Sequence, residues 1–301
     1  MKELYEKFKS LTKADLLLNE NLSKHTTFKI GGPADLLAIP HSEEDLKIIV
    51  SELTKTKTPY FVMGNGSNLL VSDKGFRGVI IKICGAMDKI KIDESKVFAQ
   101  AGAYISTLLN QCAEKGVSGF EFFAGIPATV GGMVAMNAGS WGTSISLFLK
   151  KVKVLTKNAK TMELEKYECD FGYRTSKILQ HGSIVLEAYF ELEKKDPQII
   201  KSRLKEILKL KSSSQPLTYP SAGCVFKNVG AESAGKIIES LGLKGESVGG
   251  AKVSEEHANF IINTGNATAN DVRNLIDRIK GIVFEKKGIQ LVEEIRFLGF
   301  E

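Results

Sequence analysis

Apolar and polar positions follow two different periods along this chain, and the switches between them mark its elements. Ser42 followed by Glu43-Glu44-Asp45 is a helix start, and Leu46, Ile49, Val50 and Leu53 keep helical spacing up to Pro59. The apolar run Tyr60 to Met63 then reads as a strand, with further strands at Leu69-Leu70-Val71 and Gly78 to Ile83, so this stretch is βαβ-like. Lys96 to Gln100 reads as another strand. Ile105, Leu108, Leu109 and Cys112 return to helical spacing before Gly116.

From Lys151 onward short alternating segments dominate. Val152 and Val154, then Met162 and Leu164 around an Asn158-Ala159 turn, then Ile184 to Leu192, predict an antiparallel sheet. Asp196-Pro197 predicts a helix start, an N-cap followed by proline at the first helical position, and Ile199, Ile200, Leu204, Ile207 and Leu208 continue it. A domain boundary is expected there. Beyond the polar stretch Lys211 to Gln215 the pattern predicts strand Ala222 to Lys227, helix Ser233 to Leu241, strand Asn259 to Asn263, helix Thr268 to Lys286 and strand Leu291 to Leu298. This last third reads as a compact α+β unit.

Two glycine-rich segments interrupt the first half. Gly64-Asn65-Gly66-Ser67-Asn68 follows the strand ending at Met63, and Gly125-Ile126-Pro127-Ala128-Thr129-Val130-Gly131-Gly132 runs on to Asn137-Ala138-Gly139. Glycine admits a ligand close to the main chain and lets successive N–H groups converge on an anion, so the pair suggests a diphosphate cradle. Neither segment has the spacing of a Rossmann fingerprint or a P-loop. Taken singly, each also reads as a tight turn.

Composition narrows the class. The 301 residues are 43% apolar and 25% charged, as expected for a globular protein of two or three domains. No apolar run approaches the roughly 20 residues of a membrane span, and the start MKELYEKFKS is charged from its second residue, so a cytoplasmic address is expected. Cys84, Cys112, Cys169 and Cys224 are widely spaced, which predicts reduced thiols with neither a zinc site nor a disulfide framework, and no metal is expected. The net charge of +6 is spread among acidic residues, which argues for anionic small molecules rather than nucleic acid.

Three local groups have chemistry to offer. In Phe171-Gly172-Tyr173-Arg174-Thr175-Ser176 an arginine able to fork onto a carboxylate stands beside a glycine. Tyr219-Pro220-Ser221-Ala222-Gly223-Cys224-Val225-Phe226-Lys227-Asn228 sets a thiol, an ammonium and an amide at the start of a strand. The alternation of Leu291-Val292-Glu293-Glu294-Ile295-Arg296-Phe297 places Glu293 and Glu294 on opposite faces, and spacing leaves open which faces inward. A surface turn, a small buried cysteine and an exposed salt-bridge partner are the plainer readings of these groups.

Six motifs occur in the order of one family: HTTFKIGG from His25, GNGSNLLVSDKGFRGVII from Gly64, GFEFFAGIPATVGGMVAMNAG from Gly119, FGYRTS, YPSAGCVFKN and EEIRFLG. On these the chain resembles the UDP-N-acetylenolpyruvoylglucosamine reductases, flavoproteins that complete UDP-N-acetylmuramate in bacterial peptidoglycan synthesis. The resemblance implies an α+β protein with a two-subdomain FAD-binding unit of the vanillyl-alcohol-oxidase type, over residues 1–80 and 81–195, and a C-terminal α+β substrate-binding domain over 196–301. It implies NADPH as co-substrate, FAD held without a covalent bond, a UDP-sugar enolpyruvyl ether as substrate, and a monomer.

The same resemblance assigns roles. Gly64, Asn65, Gly66, Ser67, Asn68 and Leu69 would hold FAD with Gly125, Ile126, Pro127, Thr129, Val130, Gly132, Asn137 and Gly139. Arg174 would polarise the substrate carboxylate, Glu294 would act beside it, and Tyr173, Lys227 and Asn228 would contact the substrate. Cys224 stands where many members have serine as the proton donor, a change of residue type at a kept position. Val229 stands where proline is usual, and Ser214 where a basic residue often precedes Gln-Pro-Leu. The short connection from Tyr173 to Asp196 resembles the loop-lacking branch. Two rivals are an FAD oxidoreductase of the same fold with another substrate and a noncatalytic nucleotide- or nucleic-acid-binding protein. Against covalent flavin, no His or Cys lies within Gly64 to Asp73.

Overall fold

A computed structural model describes residues 1–300. The chain divides into two compact units, one of residues 1–18, 35–65 and 78–209, the other of 19–34, 66–77 and 210–300.

In the first unit the local signals act as the sequence implies. Ser42 caps the helix Glu43–Lys55 by accepting from Asp45 N, and Leu46, Ile49, Val50 and Leu53 are all fully buried. That helix stops four residues short of Pro59, at a Thr56 hydroxyl that bonds back to Glu52 O. One sheet has the strand order Asp15–Asn21, Pro33–Ile39, Phe76–Lys82, Tyr60–Met63, with the last two parallel and Met63 opposite Lys82. A second, five-stranded sheet is antiparallel throughout, ordered Thr161–Glu165, Leu149–Leu155, Ile184–Glu191, Lys96–Gln100, Ile90–Asp93. One continuous apolar core runs from Leu36 and Ile49 through Phe123 and Val134 to Leu186 and Phe190.

The second unit contains an antiparallel sheet ordered Ser221–Cys224, Phe260–Asn263, Ala251–Val253, Ser247–Val248, with helix Ala269–Lys287 contacting its last two strands. Its core gathers Phe28, Ile30 and Leu70 with Val225, Phe226, Ile261, Leu275 and Ile295. That burial explains why two early segments belong with the C-terminal residues. Leu69–Val71 also pairs in parallel with Arg296–Leu298. The chain therefore changes unit inside helix Pro197–Ser212, at 209/210, rather than at the residue 196 read from the sequence.

Two strands are shorter than the alternation implies. Ser221–Cys224 replaces Ala222 to Lys227, and only Arg296–Leu298 of Leu291 to Leu298 is a strand. The segment before it has a single isolated bridge, Glu293 to Phe226, so its apolar alternation lacks a ladder to extend. Among the described residues no helix is long and apolar enough to cross a membrane.

Candidate active site and cofactor cradle

In the first unit the two glycine segments meet. Asn65 Nδ2 donates to Pro127 O at 2.8 Å, and Gly64 lies so close to Thr129 that a Cβ there would overlap the Thr129 hydroxyl. Only glycine allows that approach. Thr129 caps the short helix Val130–Ala135 by accepting from Gly132 N at 3.3 Å, while Val130 N and Gly131 N donate to Ala103 O and Ala101 O, both at 2.9 Å. Gly64, Asn65, Gly125, Ile126, Pro127, Thr129, Val130, Gly132, Asn137 and Gly139 all belong to this unit, whereas Gly66, Ser67, Asn68 and Leu69 belong to the other.

Arg174 joins the tail of the second segment. Its Nη2 donates to Gly139 O at 2.9 Å, Asn137 Nδ2 donates to Gly172 O at 2.8 Å, and the buried Ser176 hydroxyl donates to Ala135 O at 2.6 Å. A two-way bond between Gly172 and Thr175 closes the turn, and Arg174 sits in it at φ 56°. Left-handed backbone is costly for arginine and is held here by the bonds on either side. The half-exposed Tyr173 ring lies 5.1 Å from the Arg174 guanidinium.

In the second unit Cys224 ends its strand on a bulge. The ladder passes from Ser221 opposite Ile262 to Cys224 opposite Phe260, three steps against two, and Gly223 at φ 77° takes up the extra residue. Cys224 is half-buried and, like the other three cysteines, a free thiol. The following residues are fixed from two sides. Phe226 gives its N–H to Asn259 Oδ1 at 2.9 Å and receives Asn259 Nδ2 on its carbonyl at 2.8 Å, while Lys227 N donates to Val292 O at 2.8 Å.

Glu294 is pinned by its backbone. Its N–H donates to Val225 O at 2.7 Å and its carbonyl accepts from Asn68 Nδ2 at 3.1 Å, with Arg296 N closing onto Asn68 O at 3.0 Å. Of the two adjacent acids, Glu293 meets Lys280 Nζ at 2.6 Å and so has a structural partner in helix Ala269–Lys287. Asn228 is exposed, and its Oδ1 accepts from Ala234 N at 3.2 Å at the start of helix Ala234–Ser240.

Two residues escaped the sequence reading. Thr27, within HTTFKIGG, donates its hydroxyl to Ser221 O at 2.7 Å and its N–H to Gly66 O at 3.3 Å. Lys211, read as part of a polar linker, is only 3% exposed; burial holds its pKa down at about 8, with the Cys224 charge acting in the opposite direction. The helical period of Pro197–Ser212, continued past Leu208, is the signal that would have found it.

Comparison with known proteins bears on these placements. The sequence profile described as the C-terminal domain of UDP-N-acetylenolpyruvoylglucosamine reductase matches residues 215–298, and that of an FAD-binding domain matches 34–165. The reductase of that name from Caldanaerobacter subterraneus is 45% identical over 297 residues, covering 98% of both chains. This chain belongs to the UDP-N-acetylenolpyruvoylglucosamine reductase family. The crystal structure of the Thermus caldophilus enzyme of this family superimposes with a TM-score of 0.79 at 36% identity, over 95% of this chain and 99% of that one. An alkyldihydroxyacetonephosphate synthase shares the fold alone, with a TM-score of 0.51 at 20% identity over 64% of this chain and 41% of its own. The fold is thus the vanillyl-alcohol-oxidase type of FAD-binding unit joined to the C-terminal domain of the reductase family, and the chain is an FAD-binding oxidoreductase of peptidoglycan synthesis.

The residues fit the cofactor. The absence of a side chain on Gly64 admits the Thr129 hydroxyl to the junction of the two segments, where Asn65 and Thr129 supply polar atoms that suit a diphosphate.

Proposed function

We propose that this enzyme reduces the enolpyruvyl ether of UDP-N-acetylglucosamine to UDP-N-acetylmuramate with NADPH, through noncovalently held FAD. The observation that carries the reading is the convergence of the two glycine segments at Asn65 and Pro127 in a chain that matches the family over nearly its whole length. FAD would be held by Gly64 to Leu69 and by the Gly125 to Gly139 segment, and when bound it supplies two-electron transfer between the nicotinamide and the substrate double bond.

As electrons reach the vinyl carbon, negative charge develops on the neighbouring carbon and its carboxylate. Arg174, with a planar charge fixed by its bond to Gly139 O, binds that carboxylate and stabilises the enolate as it forms. Cys224 delivers the proton to the enolate carbon. A thiol, with an ordinary pKa of about 8.5, is a far stronger acid than the serine hydroxyl common at this position. Glu294, whose backbone is held against Val225, acts on the same enol, and Tyr173, Lys227 and Asn228 contact the rest of the substrate.

The test is direct. Purified protein should be yellow, lose that colour with NADPH, and release FAD on denaturation. Addition of the enolpyruvyl sugar nucleotide should make NADPH consumption catalytic. A yellow protein that consumes NADPH no faster with that substrate would point to another substrate on the same fold, and a colourless one unable to take up FAD would overturn the flavoenzyme reading.

A further inference from the structure

The parallel pairing of Tyr60–Met63 with Phe76–Lys82 has a consequence at its C-terminal edge. Met63 stands opposite Lys82, so the two chains leave the sheet side by side, and two residues later Asn65 and Cys84 face one another. Cys84 Sγ donates to Asn65 Oδ1 at 3.6 Å, within reach for the larger sulfur atom. The Tyr104 hydroxyl is near enough to the same sulfur for each group to shift the other's titration. Tyr104 itself bridges to Thr129 through the backbone, at the start of helix Ile105–Glu114.

The direction of this chain of bonds follows from its far end. Pro127 O only accepts, so the NH2 side of the Asn65 amide must face it and the oxygen must face the sulfur. That oxygen then needs a donor, which Cys84 has as a thiol. The hydroxyl of Tyr104 can donate to the sulfur, leaving the S–H for Asn65. A thiolate would present Asn65 Oδ1 with a second acceptor, and burial works against that state by pushing the Cys84 pKa up.

We propose that Cys84 is a positioning residue of the FAD cradle, its thiol fixing the Asn65 amide so that Asn65 clamps the Pro127 carbonyl and holds the two glycine segments together around the cofactor. Without that donor the amide is free to rotate, and rotation would turn its oxygen toward Pro127 O and part the segments. The inference rests on the FAD reading. It adds a residue outside both glycine segments, one that acts on the cofactor only through Asn65.

The test uses the holoenzyme, with FAD release and rebinding followed by flavin fluorescence in wild type, Cys84→Ser, Cys84→Ala, Asn65→Ala and the double variant Asn65→Ala with Cys84→Ala. Loss of one modest hydrogen bond corresponds to about a five- to tenfold rise in the FAD dissociation constant for Cys84→Ala. Cys84→Ser, which keeps a donor, should stay within about threefold of wild type, and the double variant should bind FAD no worse than Asn65→Ala alone, because the thiol acts through that amide. Unchanged affinity in Cys84→Ala, or a Cys84→Ala effect that adds in full to Asn65→Ala, overturns the proposal while leaving the flavoenzyme reading intact. A wild-type protein with no affinity for FAD overturns both.

Discussion

Glu294 donates its backbone N–H to Val225 O at 2.7 Å, which places the acid against the residue that directly follows Cys224. Seventy positions separate Glu294 from Cys224 along the chain. They are joined because Val225 accepts from Glu294 N and Lys227 N donates to Val292 O on one side, while Phe226 exchanges two bonds with Asn259 on the other. The backbones that carry Cys224 and Glu294 are thus tied together at one corner of the second unit.

Cys224→Ala should keep NADPH-driven bleaching of the flavin and lose the return of colour on adding the enolpyruvyl substrate, because only the proton to the enolate carbon is missing. Cys224→Ser should retain substantial turnover. Stopped-flow measurement of the two half-reactions separately is the check, and normal colour return in the alanine variant would remove Cys224 from this role.

Arg174 sits at φ 56°, and its side chain is held by Gly139 O. Lysine in its place keeps the charge but loses the planar fork, so Arg174→Lys should lower kcat by about 100-fold, in the range typical for removal of one transition-state donor. FAD affinity and bleaching by NADPH should stay near wild type. Equal loss in both half-reactions would show that the turn at Gly172 to Thr175 serves the cradle and not the substrate.

Much of the fold was legible because its signals are local. Ser42 with its acidic followers, the strand Tyr60–Met63, the strand Lys96–Gln100 and the Asp196-Pro197 start each depend on a few adjacent residues, and each stands where the sequence puts it. The strand expected over Leu291 to Leu298 failed for a complementary reason. Alternation records which side chains are apolar, but a strand also needs a neighbour, and only Arg296–Leu298 has a ladder partner, in Leu69–Val71. Site contacts such as Asn68 to Glu294, 226 residues apart, leave no periodic trace at all. Cys84 reads in the sequence only as one of four widely spaced reduced thiols, because the register that sets it opposite Asn65 belongs to the sheet and not to either segment alone.

Asn259 is 3% exposed and satisfies both backbone groups of Phe226, itself 1% exposed. Asn259→Ala would leave a buried N–H and a buried C=O without partners, at a cost of about 2–5 kcal/mol in unfolding free energy. Urea denaturation should show a lower midpoint with an unchanged slope, and kcat should fall as the strand end at Cys224 loosens. A variant as stable as wild type would mean that water reaches Phe226.

Lys211 makes the pH dependence distinctive. Its ordinary pKa of 10.5 falls to about 8 in the folded protein, chiefly through burial. Between those values the unfolded chain carries a proton that the native protein lacks, so this residue's contribution to stability rises with pH across the window of about 8 to 10.5. Below it the ammonium is buried at a cost, and above it both states are neutral. Lys211→Met removes this contribution, so wild type should gain stability relative to the variant between about pH 8 and pH 10.5, with urea midpoints compared pairwise to cancel the other titrating groups. The same substitution removes a cation from the electrostatic surroundings of Cys224, and without it the thiol should stay protonated to higher pH. The alkaline limb of the kcat profile should therefore move upward in Lys211→Met, and an unmoved limb would place Lys211 outside the field that Cys224 feels.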